Sequence, residues 1–232
     1  MKDPYSDDPT KYGIRVTSPD SIEKICALAL DKGYQVNTHA IGDSAVAEVL
    51  GIYSEYLKGK NDLRWRIEHA QVVDPLDIQM FGRNSIIPSV QATHATSDMN
   101  WAKDRLGTRR IRYAYAYKNL LAQNGWIANG TDFPIENISP VLTFYAAVTR
   151  QDIKGFPVKG FQIENALSRT DALKSITIWA ARAGFQESTR GSIEKGKMAD
   201  FVILDQDIMS CPANDLPSVK VVMTYVGGER VF

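Results

Sequence analysis

The sequence predicts an α/β fold of parallel βα units followed by an antiparallel β tail. Three observations predict it. Short apolar runs alternate with longer amphipathic ones through the first three quarters of the chain, and strands alternating with helices argue for βαβ units. The runs "YQVNTHA", "RWRIEHA", "SIIPSVQ" and "WIANGTD" are short and apolar, as strands covered on both faces should be. From about Gly155 the pattern changes: after one more helix, "GSIEKGKMADFVILD" and "VKVVMTYVGGERVF" read as antiparallel strands joined by polar turns.

Each element has its own signals. In "SPDSIEKICALALDKG", Ser18 is a candidate N-cap, Pro19 takes the first helical position and Gly33 the stop. Ile22, Ile25, Cys26, Ala29 and Leu30 then share one helical face. "DSAVAEVLGIYSEYLKG" reads as a helix closed by Gly59, and "DPLDIQMFGRN" as a short helix opened by Asp-Pro. Pro88 makes the start of the third strand irregular. "RRIRYAYAYKNLLAQNG" reads as one amphipathic helix stopping at Gly125, with a solvated basic face and a Tyr/Ile/Leu core face. "SPVLTFYAAVTR" and "SRTDALKSITIWAARAG" are two further helices, the second capped and ending at Gly184.

Bulk properties exclude several function classes. Lys+Arg equals Asp+Glu at 27 each, so the net charge is zero. That gives no electrostatic reason to expect nucleic acid or an anionic membrane as a partner. No apolar run reaches the roughly 18 residues a membrane span needs. Cys26 lies inside an apolar helical pattern, far in sequence from Cys211. A buried free thiol is expected, which points to a reducing, cytoplasmic compartment. No Ser or Cys has a nucleophile-elbow context, and the Gly pair of "VGGERVF" is a hairpin turn rather than a phosphate cradle.

The chemistry concentrates at strand ends. His39 in "VNTHAIGD" and His69 in "RIEHAQ" close consecutive strands, Asp132 in "NGTDFP" closes the fourth, and His94 in "SVQATHATSD" lies just past the third. In a parallel βα array, functional side chains gather at that rim. Imidazole and carboxylate together are a ligand set for Zn²⁺ or a similar divalent metal. Taken singly, each histidine also fits a hydrogen-bonded structural role, and Asp132 a turn or cap. The coincidence of the chain's three histidines on one rim favours a metal or catalytic site.

These segments resemble the second half of an amidohydrolase-superfamily enzyme, closest to amidohydrolase family 3, the branch with N-substituted formamide deformylase-like proteins. "NTHAIGD", "RIEHAQ", "SVQATHATSDM", "NGTDFP" and the tail "GSIEKGKMADFVILD…VVMTYVGGERVF" carry the resemblance, collinear from about residue 4 to 232. It implies the C-terminal half of a (β/α)8 TIM barrel over 1–185 (strands 5 to 8), with 186–232 a remnant of a small β-sandwich. It implies one or two divalent metals, most commonly zinc, that activate water to hydrolyse an amide-like C–N bond of a small molecule. His39 and His69 resemble the metal ligands of strands 5 and 6. Asp132 resembles the strand-8 aspartate that binds metal and shuttles a proton, and His94 a substrate-facing residue.

The family's His-x-His of strand 1 is absent. The chain is therefore expected to be a fragment with little activity alone, and its open sheet edges to drive homo-oligomer formation. A non-catalytic association module, and a metal-free lyase or isomerase using His69 and Asp132 as base and acid, are the alternatives. Retention of zinc would argue against the first, loss of activity with chelator against the second.

Overall fold

Short strands and longer helices alternate along the computed structural model, which describes residues 1–232. In chain order the elements are α1 (Pro19–Lys32), β1 (Asn37–Ala40), α2 (Asp43–Leu57), β2 (Arg66–His69), α3 (Gln79–Arg83), β3 (Ile87–Val90), α4 (Ala92–Asp98), α5 (Ala102–Arg110), α6 (Tyr117–Asn124), β4 (Ala128–Asn129), α7 (Pro140–Thr149), α8 (Arg169–Ile176), α9 (Ile178–Ala183), β5 (Phe201–Leu204), β6 (Val221–Val226) and β7 (Glu229–Arg230). The chain divides into two units, one of residues 1–90 and 97–127, the other of 91–96 and 128–232.

The first unit is the α/β part. β1 pairs in parallel with β2, and β2 with β3, with Thr38 opposite Ile67 and Ile67 opposite Pro88. All four residues of β3 are buried, as is Ile67. Pro88 sits inside a paired strand, where it deprives the ladder of one donor. Trp65, fully buried, meets Tyr53 of α2 edge to face at 5.0 Å, a favoured geometry for aromatic pairs. α1 begins as its sequence dictates: the Ser18 side chain accepts from the Ser21 amide, Pro19 follows, and Gly33 closes the helix at φ 71°.

The buried stripe of α1 is narrower than the sequence suggests. Ile22, Cys26 and Ala29 are buried, whereas Ile25 and Leu30 stay exposed. An i, i+4, i+7 line serves a single neighbour, and α1 packs chiefly on α2. α2 likewise ends one residue early, with Lys58 rather than Gly59 taking the left-handed cap position.

The stretch read as one helix over "RRIRYAYAYKNLLAQNG" is broken. α5 ends at Arg110, a short 3-10 turn covers Ile111–Tyr113, and α6 starts at Tyr117. Long-range pairing overrides the local propensity. Ala114 bridges Val72 in antiparallel sense, the Val73 amide donates to the Tyr113 carbonyl, and the Tyr115 amide donates to the Gln71 carbonyl at 2.7 Å. The expected core face survives, since Ile111, Tyr115, Tyr117 and Leu120 are buried. Arg110 is buried as well, donating to the Leu106, Asp3 and Pro4 carbonyls.

The second unit holds α7, α8 and α9, the short strand β4, and an antiparallel sheet in the order β5-β6-β7. Ser168 caps α8 by accepting from the Asp171 amide. The single helix expected up to Gly184 is split at Thr177, whose φ of −126° and ψ of −98° are not helical. The antiparallel tail matches its expected form, with Phe201 opposite Tyr225 and the two rings stacked at 4.6 Å. No helix is long and apolar enough to cross a membrane.

Candidate functional site

In the first unit the two strand-end histidines meet. Their ring centroids lie 4.6 Å apart, edge to face. The strand register alone does not bring this about. His39 stands opposite Glu68, and His69 opposite Ala40. Because side chains alternate along a strand, His39 shares a face with Arg66 and Glu68, while Ile67 and His69 would take the other. His69 escapes that parity through its backbone. Its φ is +72° and that of Ala70 is +43°, a left-handed pair that leaves the extended geometry as β2 ends. Such conformations in non-glycine residues cost about 1–3 kcal/mol and cluster at functional sites.

The face carrying His39 is open: Asn37 and His39 are exposed, and Arg66, Glu68 and His69 are half-buried. Arg66 Nε donates to Glu68 Oε1 at 2.6 Å, placing a charge pair beside the imidazoles. The other face is closed by α2, where the Thr38 and Tyr53 hydroxyls bond at 2.6 Å.

A second polar group lies just past β2. The Tyr115 hydroxyl donates to Asp98 Oδ2 at 2.8 Å, and Gln71 Nε2 donates to the same carboxylate oxygen at 3.1 Å and to the Tyr115 hydroxyl at 3.0 Å. Burial and the Asp98 charge push the Tyr115 hydroxyl far above the ordinary tyrosine range, so it stays a donor. The sequence reading does not single out these three residues.

In the second unit His94 and Asp132 are brought together. The segment "QATHATSD" folds into α4 rather than trailing off the strand, and His94 is buried on it. The helix start is fixed by the buried side chain of Asn129 in β4, whose Oδ1 accepts from the Ala92 amide at 3.1 Å. His94 Nε2 lies 3.0 Å from Asp132 Oδ2, and Nδ1 lies 3.1 Å from Glu136 Oε1. Asp132 follows β4 at φ +58°, and its carbonyl accepts from the Ile135 amide at 2.8 Å, so the chain turns straight back. That turn sets both carboxylates against one imidazole. The sequence reading names Asp132 and His94 but misses Glu136; the tight "DFPIE" turn, four residues from one carboxylate to the next, is the signal that finds it.

The donors fit a divalent metal by their chemistry. Each unit offers nitrogen or oxygen ligands of the borderline kind that zinc takes, His39 and His69 in one and Asp132 in the other.

The amidohydrolase family matches residues 1–232. Protein LONG AFTER FAR-RED 3 of Arabidopsis thaliana is 36% identical over 234 residues, covering 98% of this chain and 39% of that protein. N-substituted formamide deformylase of Arthrobacter pascens is 25% identical over 224 residues, covering 94% and 40%. The crystal structure of an uncharacterized metal-dependent hydrolase from Pyrococcus horikoshii OT3 superposes with a TM-score of 0.80 at 32% identity, covering 91% of this chain and 42% of that one. The chain thus spans about two fifths of the length of the proteins it matches.

Proposed function

Given that the chain belongs to the amidohydrolase family, we propose that it is the strand-5-to-8 half of a metal-dependent hydrolase acting on an amide-like C–N bond of a small molecule. Residues 1–185 form the half TIM barrel and 186–232 the sandwich strands in this reading. One observation supports it most: two strand-end imidazoles lie with their rings 4.6 Å apart on an open sheet face. His39, His69 and Asp132 would hold the metal, most readily zinc. When bound, that ion supplies the Lewis acidity that activates water for attack on a carbonyl.

The chain's own residues do the rest. Asp132 takes the proton released by the attacking water and gives it to the departing nitrogen, as general base and then general acid. Its Oδ2 is steadied by His94 Nε2 at 3.0 Å. His94 faces the substrate from α4. A half-built pocket without His-x-His positions these groups loosely, and loose positioning forfeits much of the rate. The isolated chain is therefore expected to show little or no hydrolysis, and to associate into a homo-oligomer through its sheet edges.

Metal content tests the reading. After dialysis against zinc, elemental analysis should find about one equivalent per chain, consistent with an open three-ligand site, and His69→Asn should lose it. A chain that takes up no zinc would favour the association module instead. Chelator-resistant turnover would favour the metal-free lyase or isomerase.

A further inference from the structure

We propose that Gln71 is a positioning residue for His69: its clasp on Tyr115 and Asp98 holds the left-handed turn that carries the His69 imidazole round to His39. The inference rests on the reading of these two imidazoles as one binding site, and every group in it lies in the first unit. Gln71 follows directly on the turn, with His69 at φ +72° and Ala70 at φ +43°. It is buried and held at three points. Its carbonyl accepts from the Tyr115 amide at 2.7 Å. Its Nε2 donates to Asp98 Oδ2 at 3.1 Å and to the Tyr115 hydroxyl at 3.0 Å, and that hydroxyl donates to the same carboxylate oxygen at 2.8 Å.

The ring of side-chain bonds closes in one sense only. An ionised carboxylate accepts and never donates, so the Tyr115 proton goes to Asp98 and the hydroxyl oxygen is left to accept. The nitrogen end of the Gln71 amide supplies a hydrogen to each neighbour; turned over, its oxygen would face the carboxylate. The side chain is thus fixed in both place and sense. Tyr115 itself sits at φ +54°, a conformation that bulky side chains rarely take and that persists only where the surroundings impose it. One residue beyond Gln71, the Val72 amide donates at 2.9 Å to the carbonyl of Ile41, two positions past His39. Before the turn, Ala40 stands opposite His69 in the strand ladder. The two left-handed residues therefore run between fixed points, with Gln71 and Val72 as the far one. Without the clasp, β2 can leave in the extended form, which puts His69 on the face of Ile67, away from His39. A metal shared by two imidazoles needs both nitrogens at roughly 2.0–2.1 Å, so a ligand that swings between faces binds weakly.

Proton NMR of the metal-free chain tests this. Edge-to-face rings 4.6 Å apart should give a nuclear Overhauser cross-peak between their ring protons; its absence from the wild type overturns the proposal at the outset. With three histidines in the chain, His39→Gln and His69→Gln identify the two partners. Gln71→Leu keeps the bulk and removes both side-chain bonds. It should lose the cross-peak while the circular dichroism spectrum stays that of the wild type. A folded Gln71→Leu that keeps the cross-peak at full strength overturns the proposal. Should that variant fail to fold, Tyr115→Phe, which leaves Gln71 its bond to Asp98, should weaken the cross-peak, and full strength there overturns the proposal too. Adding Ala70→Gly to whichever variant folds separates positioning from packing. Glycine takes a positive φ without a Cβ penalty, so the turn forms without the clasp and the cross-peak should return. A cross-peak that does not recover shows that Gln71 does not act through the turn, and overturns the proposal. Zinc uptake by the wild type, measured separately, judges the binding-site reading, so the two can fail independently.

Discussion

Gly82→Ala should destabilise the protein, although glycine is a poor helix former and alanine the best. Gly82 lies in α3, where a Cβ would stand 2.6 Å from the Gln123 carbonyl oxygen and 3.3 Å from its carbon. Ordinary contact begins near 3.4 Å, so α3 and α6 must part by the better part of an ångström. The obstacle is backbone and cannot swing aside. Overpacking of this kind costs about 1–3 kcal/mol. Parting the helices also strains the Asn124 side chain, which donates to the Ile86 carbonyl at 2.7 Å and is worth about 1 kcal/mol. Against this stands a helix-propensity gain of about 0.8–1 kcal/mol. The net is a loss of about 1–3 kcal/mol, or roughly 2–12 °C in melting temperature at this chain length.

Gly51→Ala supplies the control. Gly51 lies within α2, and nothing comes within 4 Å of its added Cβ. The same chemical change there should stabilise, by up to about 1 kcal/mol. Urea unfolding followed by circular dichroism measures both. If Gly82→Ala is as stable as the wild type, or if the two variants shift the same way, the steric reasoning is wrong.

Other expectations follow from single groups. Tyr115→Phe removes a buried hydroxyl that donates to Asp98 and accepts from Gln71, and should cost about 1.5–3 kcal/mol in the same unfolding assay. Burial pushes the Cys26 thiol up to about 11, so a thiol reagent at pH 8 should modify half-buried Cys211 in the native chain and reach Cys26 only on unfolding. Asp74 is held below the usual carboxylate range by the Leu76 amide and by Lys2. A lowered carboxyl stabilises above its unfolded value of 3.8 and loses that contribution as pH falls through its folded value. Acid titration of Asp74→Asn should therefore show a shallower loss of stability below about pH 4 than the wild type.

The sequence discloses the βα order and the strand ends because those rest on local signals. Apolar runs mark β1 to β3, Ser18 and Ser168 mark helix starts, and the histidines stand where the runs stop. What it hides depends on partners distant in sequence. α4 has no start signal of its own, since its first amide is satisfied by Asn129. The break between Tyr113 and Tyr117 is made by the 71–73 segment. The approach of His69 to His39 depends on a left-handed backbone that no propensity foretells, and Glu136 gains its meaning only when the turn after Asp132 folds it onto His94.

The sheet of β5, β6 and β7 has a consequence for how the molecule opens. Val202 and Ile203 are neighbours on β5 and so point to opposite faces, yet they are 51% and 42% exposed; Val222 and Val226 on β6 are similarly bare. Water therefore reaches both sides of a ladder only three strands wide. Its amides should trade hydrogen for deuterium through small local openings, well ahead of those in β3, where all four residues are buried. An exchange map of the folded chain would then show two clocks: a fast one in the tail, and a slow one in β3.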